Sequence, residues 1–236
     1  MEATDLALVQ GLADTRVTLR LWAQRPGIVL RTWVPAAVAI SCALLGAVVV
    51  VAALSTPDPT PVRLARPSAA GMLEFLYSNS LVLALHAMAC VAGFIAGSSL
   101  PLTASRHTGV WRSVHDRAGP LAIAFVIGAT TFSLCTQAYV LGGFAATQAA
   151  QRGIAPALLV LALLPHALIE LTALFLPLAA WIIASRRGDW HQLLAATVVT
   201  VALALPLLLV AAVIEVWLSP YLLDAVSAHA PRTLGY

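Results

Sequence analysis

Runs of predominantly apolar residues, each about 20 residues long or longer, dominate this chain and restrict what it can fold into. Hydrophobic residues make up 61% of the 236 positions and charged residues 10%, and the mean hydropathy is +0.92. An ordinary soluble domain does not have this composition. A helix of about 20 apolar residues crosses the hydrocarbon core of a bilayer. The sequence therefore predicts an all-α integral membrane protein.

Five transmembrane helices are predicted, at about residues 32–54, 79–100, 121–141, 164–185 and 191–218. The apolar run 154–185 is too long for one straight crossing, and Pro165 within it has no amide proton for a helical hydrogen bond. We therefore expect a re-entrant or interfacial helix before the fourth span. The third span contains the most hydroxyl and amide side chains, so we expect it to be buried among the other helices. Ala89, Gly93 and Gly97 form a narrow face in the second span, which favours close packing within the chain.

The arginine distribution predicts the orientation. Residues 1–30 read as a cytoplasmic amphipathic helix that lies on the membrane surface or against a partner. Residues 31–219 form the polytopic transmembrane domain, and residues 220–236 form a short outer tail. With the N-terminus inside, cytoplasmic segments hold nine arginines and outer segments hold four. The N-terminus is thus expected inside and the C-terminus outside.

Ionisable and amide side chains within the spans are the candidate functional residues. His166 and Glu170 lie four residues apart, on one face of a helix, and Glu215 is the other acidic residue within the spans. The predicted topology places these three and Asn79 in the outer half of the membrane, where they would form one polar cluster. The first interpretation is structural, with His166 and Glu170 satisfying one another. A proton-transfer or transport role is the alternative, because ionisable groups within the membrane are costly and often functional.

The sequence gives little support for catalysis. His86 is a conceivable third metal ligand beside His166 and Glu170, but HEXXH is absent. No glycine-rich phosphate loop or GxSxG motif is present, so neither a nucleotide site nor a serine nucleophile is expected, and no cofactor is predicted. The arginines are spread over short connections, which does not indicate a nucleic-acid site. A separate partner would have to supply any ATPase activity.

The segment 101–120 is a candidate partner-docking loop. A tryptophan surrounded by basic side chains provides an apolar anchor with a polar rim. The alternative is that the same side chains lie at the level of the lipid headgroups. The residues concerned are Arg106, Trp111, Arg112, His115 and Arg117.

Three stretches resemble the stage II sporulation protein M family of bacterial multi-pass membrane proteins. They are SNSLVLALHAMACVAGFIAG at 78–97, LPHALIELTA at 164–173 and LLLVAAVIEVWLSP at 207–220. The family usually has glycine after the histidine, where this chain has Ala167. The resemblance covers roughly residues 70–220.

The resemblance implies a non-catalytic subunit or scaffold of an envelope assembly in the bacterial cytoplasmic (inner) membrane. Sporulation members work with peptidoglycan-remodelling proteins, and relatives occur beside genes for MoxR-type ATPases. The expected partners are the lipid bilayer, other membrane subunits and a cytoplasmic MoxR-type or ABC-type ATPase, with a homodimer left open. An ABC-exporter-like permease subunit is the alternative function, since the layout is similar to that of such permeases, and an intramembrane metalloenzyme is third.

Overall fold

A computed structural model describes residues 7–60, 68–99 and 109–229, which form helices joined by short connections. A π-helical turn, Ile95–Ser99, extends the helix Ala69–Phe94. A second π-helical turn, Ile214–Leu218, joins the helix Leu193–Val213 to the helix Ser219–His229. A short 3-10 helix, Trp190–Gln192, precedes the sixth helix. The helices are α1 (Ala7–Gln24), α2 (Gly27–Leu54), α3 (Ala69–Phe94), α4 (Gly109–Arg152), α5 (Pro156–Arg187), α6 (Leu193–Val213) and α7 (Ser219–His229).

The described part of the chain has five helical segments that are long and apolar enough to cross a membrane. They are Val29–Leu54, Ala69–Ser98, Ile123–Arg152, Pro156–Arg187 and Trp190–Ala228. This confirms, for the described residues, an all-helical fold with five candidate membrane-spanning helices in the predicted order.

Helix α5 is the centre of the bundle. It contacts α2, α3, α4, α6 and α7, and every residue from Leu171 to Trp181 is buried. Helix α3 packs against α5 and α6 on one side, whereas α4 packs mainly against α2. Successive spans run in opposite directions, so α2 begins at the same end of the bundle at which α3 and α5 finish. We call this the arginine end, because it carries Arg25, Arg31, Arg186 and Arg187.

The helix break expected at Pro165 is absent. Helix α5 runs without interruption from Pro156 to Arg187, with Pro165 and Pro177 inside it, so residues 154–163 do not form a separate re-entrant helix. An interior proline removes one helical hydrogen bond. Breaking the helix within a membrane would leave several backbone groups without partners, at several kcal/mol each. Keeping the helix intact is therefore the less costly arrangement.

Other boundaries also extend beyond the sequence-based expectation. Helix α4 includes residues 142–152, which we expected to be a connection, and ends at Gly153, whose φ is 65°. Helix α3 begins at Ala69, where the Ser68 hydroxyl accepts a hydrogen bond from the Gly71 amide at 3.0 Å. In the predicted outer tail, residues 220–229 continue the last helix. Polar and small residues at these positions suggested loops, but they continue helices that already have tertiary contacts.

The expectation that the third span is buried is wrong for the isolated chain. Helix α4 is the least buried of the five spans, and its Phe125, Phe132 and Tyr139 side chains are more than 70% exposed. Only its last turns pack tightly, where Gly142 lies against Val51 of α2. The polar side chains of α4 are satisfied in part along the helix itself, as in the 3.1 Å hydrogen bond from Gln137 to Ser133. Hydroxyl and amide content therefore did not require burial.

Glycines in α3 and in the π-helical turn that follows it lie against indole rings, where the spacing predicted close packing within the chain. A Cβ atom at Gly93 would lie 2.6 Å from Trp181 Nε1, and one at Gly97 would overlap the Trp190 ring. Both tryptophans belong to the same chain. This narrow face is thus filled by α5 and by the 3-10 helix that precedes α6.

Replacing Gly93 with alanine is expected to destabilise the bundle. The added methyl group has to displace the Trp181 indole, and overpacking of this kind costs about 1–3 kcal/mol. The thermal unfolding temperature of the purified protein in mild detergent measures the effect. Gly46→Ala is the matched control, because a Cβ there meets nothing within 4 Å. Equal stability of the two variants would contradict this packing.

Candidate functional site

The predicted intramembrane polar residues come from three helices. Asn79 lies on α3, His166 and Glu170 lie on α5, and Glu215 lies in the π-helical turn between α6 and α7. His166 is the eleventh and Glu170 the fifteenth residue of the 32-residue helix α5. At about 1.5 Å per residue, Glu170 is therefore near the middle of that helix.

Ser219 joins α7 to α5 through a buried hydrogen bond. Its Oγ atom lies 2.8 Å from His166 Nδ1, and both residues are buried, with 3% and 8% of their surfaces exposed. The same Oγ atom lies 3.3 Å from the carbonyl oxygen of Ile214. A hydroxyl group both donates and accepts, so Ser219 can bridge the histidine ring and this carbonyl.

The π-helical turn positions Ser219 and Glu215. The backbone amide of Ser219 donates to the Ile214 carbonyl, five residues earlier, which widens the helix locally. π-Helical turns of this kind are rare and often occur at functional sites. Here the wide turn keeps Ala211, Glu215 and Ser219, which are spaced four residues apart, directed toward the bundle.

Glu170 interacts with both other helices. Its carboxyl group lies close enough to the Asn79 side chain of α3 to interact with it, and within electrostatic range of Glu215. Asn79 is buried, with 9% of its surface exposed, and both glutamates are half-buried. Two ionised carboxylates repel at short range in a medium of low dielectric constant, so the site disfavours the doubly charged pair.

Glu215 is the least satisfied member of the cluster. Its Oε2 atom is buried and has no hydrogen-bond partner among the described residues. Asn79, the buried amide of the cluster, contacts Glu170 rather than Glu215. Because it has no partner there, Glu215 Oε2 can still hold a proton or accept a hydrogen bond.

The structure corrects the expectation that His166 and Glu170 satisfy one another. No ion pair joins these two described residues, and each has a partner from a neighbouring helix instead. The sequence analysis did not identify Ser219 as part of the cluster. The signal was available, because Ser219 follows Glu215 by four residues and is therefore on the same face of a helix.

The predicted docking segment is only partly described. Residues 109–120 form the first turns of α4 rather than a loop, and Trp111, Arg112, His115 and Arg117 lie in these turns. The structure gives the backbone of these four residues and places it at the arginine end. Arg106 lies outside the described residues.

Two other features belong to the surroundings of the cluster. The His86 ring packs edge-on against Phe175 at 5.5 Å, and the Cys90 thiol donates to the Pro177 carbonyl at 3.1 Å.

In the described ranges, no group of three or more histidine, cysteine or acidic side chains is arranged to hold a metal ion. A cavity of about 30 Å³ lies at the arginine end beside Trp33 and Arg187, and no cluster residue lines it.

Comparison with known proteins adds no further assignment, because no protein-family model, curated protein or solved structure matches this chain.

Replacing Ser219 with alanine is expected to lower the free energy of unfolding by about 1–3 kcal/mol, because it leaves the buried His166 ring without its partner. Unfolding in mild detergent measures this change. Ser227→Ala is the matched control, since among the described residues that hydroxyl bonds only to the Leu223 carbonyl of its own helix, at 2.7 Å. A loss of the same size in the control would show that the contact with His166 is not responsible.

Proposed function

We propose that this chain is a non-catalytic, membrane-embedded subunit or scaffold of a bacterial envelope assembly in the inner membrane. The observation that carries this proposal is the polar cluster, in which Asn79, Glu170, His166 and Ser219 pair with one another across three helices. Such pairing fixes the relative positions of the helices and leaves these four side chains occupied. A rigid bundle of this kind suits a subunit that positions other proteins.

The resemblance to the stage II sporulation protein M family supports the same proposal. Each of the three stretches that carry the resemblance contributes to the one cluster. Residues 78–97 supply Asn79, residues 164–173 supply His166 and Glu170, and residues 207–220 supply Glu215 and Ser219. A common structural role for the three stretches explains why they occur together in this order.

An orientation with the N-terminus inside and the C-terminus outside is part of the proposal. The charges at the two ends of the bundle support it, because arginine is retained on the cytoplasmic side. Only Arg152 lies toward the opposite end among the described residues, together with the acidic Asp58, Glu74 and Asp224. The Thr60 amide donates to Asp58 Oδ1 at 2.8 Å and lowers the pKa of that carboxyl. Among the described residues, the arginine end and the adjoining α1 carry eight arginines and three aspartates: Arg16, Arg20, Arg25, Arg31, Arg112, Arg117, Arg186, Arg187, Asp14, Asp116 and Asp189.

Cytoplasmic partners are proposed to bind at the first turns of α4. Trp111, Arg112, His115 and Arg117 lie there, at the end of the bundle that faces the cytoplasm in this orientation. A tryptophan with neighbouring arginines is a common centre of protein interfaces. The partner proposed is an ATPase of the MoxR or ABC type, acting with other membrane subunits.

An ABC-exporter-like permease is the second candidate function. The arrangement of Glu170 and Glu215 favours it, because Glu215 keeps a buried oxygen atom without a partner among the described residues. A pathway past these carboxylates would have to admit water to the cluster. An intramembrane metalloenzyme has no comparable observation in its favour.

Affinity purification in mild detergent, followed by mass spectrometry, tests the scaffold proposal. We expect wild type and Glu170→Gln to retain membrane subunits and an ATPase, because glutamine can keep the contact with Asn79. Arg112→Glu/Arg117→Glu is expected to lose the ATPase. Arg186→Glu/Arg187→Glu reverses the same number of charges elsewhere at the arginine end and serves as the control. Failure of wild type to retain any envelope protein would contradict the scaffold, and equal losses in the two reversed variants would contradict docking on α4.

Cysteine accessibility separates the scaffold from the permease and checks the orientation. In a variant with Cys42, Cys90 and Cys135 replaced by alanine, a membrane-impermeant maleimide is expected to label Thr60→Cys in intact cells. Gln24→Cys should react only after permeabilisation, because Thr60 and Gln24 are exposed at opposite ends of the bundle.

Asn79→Cys is expected to resist the maleimide under both conditions, since Asn79 is 9% exposed and lies within the bundle. Labelling of Asn79→Cys as fast as that of Thr60→Cys would show that water reaches the cluster and would favour the permease.

A further inference from the structure

One side of α1 packs against the rest of the chain. Thr15, Leu19 and Trp22 recur at helical spacing on this side, where Thr15 is buried and the other two are half-buried. The Trp22 ring packs edge-on against Trp33 of α2, with ring centroids 5.1 Å apart. Helix α1 also contacts the end of α3 and the start of α6. It is therefore fixed against the arginine end of the bundle.

The opposite side of α1 is exposed and amphipathic. Val17 and Leu21 are 57% and 58% exposed, and Arg16 and Arg20 are exposed beside them. At about 100° per residue, the two arginines lie together on one flank of this apolar pair. An exposed apolar pair with a cationic flank is typical of a helix lying in a membrane interface.

Unpaired positive charge makes this side complementary to an anionic partner. Within the described ranges, no ion pair involves Arg16 or Arg20, and Asp14 lies on the flank away from them. Arg25 and Arg31 extend the positive region toward the start of α2. Because α1 leads into α2, its exposed side lies next to the start of the first candidate span, Val29–Leu54.

We infer that the exposed side of α1 binds anionic phospholipid headgroups of the membrane in which the bundle sits. The guanidinium groups of Arg16 and Arg20 pair with headgroup phosphates, and Val17 and Leu21 insert among the first carbons of the acyl chains. This assignment is independent of the proposed function, since it concerns lipid rather than protein and a different segment from the first turns of α4.

Native mass spectrometry of the purified full chain tests this inference. The protein is delipidated and titrated with phosphatidylglycerol or with phosphatidylcholine of the same acyl chains. We expect wild type to retain phosphatidylglycerol preferentially, and 0.5 M salt during the titration to reduce that preference. Arg16→Gln/Arg20→Gln should weaken the preference by about 10- to 30-fold, at about fivefold for each arginine near an anionic surface.

The controls separate lipid binding from general effects of charge and folding. Arg63→Gln/Arg66→Gln removes two arginines from the connection between α2 and α3 and should leave the preference unchanged. Val17→Ser/Leu21→Ser should weaken binding of both lipids without changing their ratio. An unchanged preference in Arg16→Gln/Arg20→Gln overturns the inference, and so does an equal loss in the Arg63/Arg66 control. Loss of a bound protein from Arg16→Gln/Arg20→Gln, with phosphatidylglycerol binding intact, would overturn it in favour of a protein partner. A preference of wild type for phosphatidylglycerol that does not change with salt would also overturn the inference.

Discussion

Hydrogen bonds between polar side chains inside an apolar bundle determine how three of the spans are placed. In lipid, apolar helix faces gain little by leaving the acyl chains, so polar contacts and close packing decide which faces meet. Ser219 connects α7 to His166 of α5, and Asn79 of α3 contacts Glu170 one turn further along α5. Helix α5 therefore contacts one polar side chain of α7 and one of α3. If either contact were lost, a polar group would remain buried without a partner, at a cost of about 1–3 kcal/mol.

Close packing of indole rings against the backbone of α3 and of the turn after it supports these contacts toward the arginine end. The absence of a side chain at Gly93 and Gly97 leaves room for the indole rings of Trp181 and Trp190. The Cys90 thiol, on the same side of α3, reaches the Pro177 carbonyl of α5. Helices α3 and α5 run in the same direction, so contacts at Asn79, Cys90 and Gly93 follow one another along their common length. The polar cluster is therefore held by a packed interface and not by hydrogen bonds alone.

The proposed roles of the chain divide between its interior and its arginine end. The interior cluster joins side chains from three helices, which suits a fixed structural core. The arginine end exposes charge and the packed helix α1, which suits contact with headgroups and with cytoplasmic proteins. Glu215 is the exception within the cluster. Its buried Oε2 atom has no hydrogen-bond partner among the described residues, so it can still hold a proton or accept a hydrogen bond, which a purely structural role does not require.

The sequence alone determined the number and order of the spans, because apolarity and length are local properties of each segment. It also identified Asn79, His166, Glu170 and Glu215, since polar residues within apolar runs are recognisable without a fold. Tertiary structure decided their partners: Ser219 reaches His166 only because α7 packs against α5 beyond a π-helical turn. It also kept α5 intact through Pro165 and left α4 largely exposed. These outcomes depend on which helices become neighbours, and that follows from close packing and hydrogen-bond satisfaction across the whole bundle, which no single segment specifies.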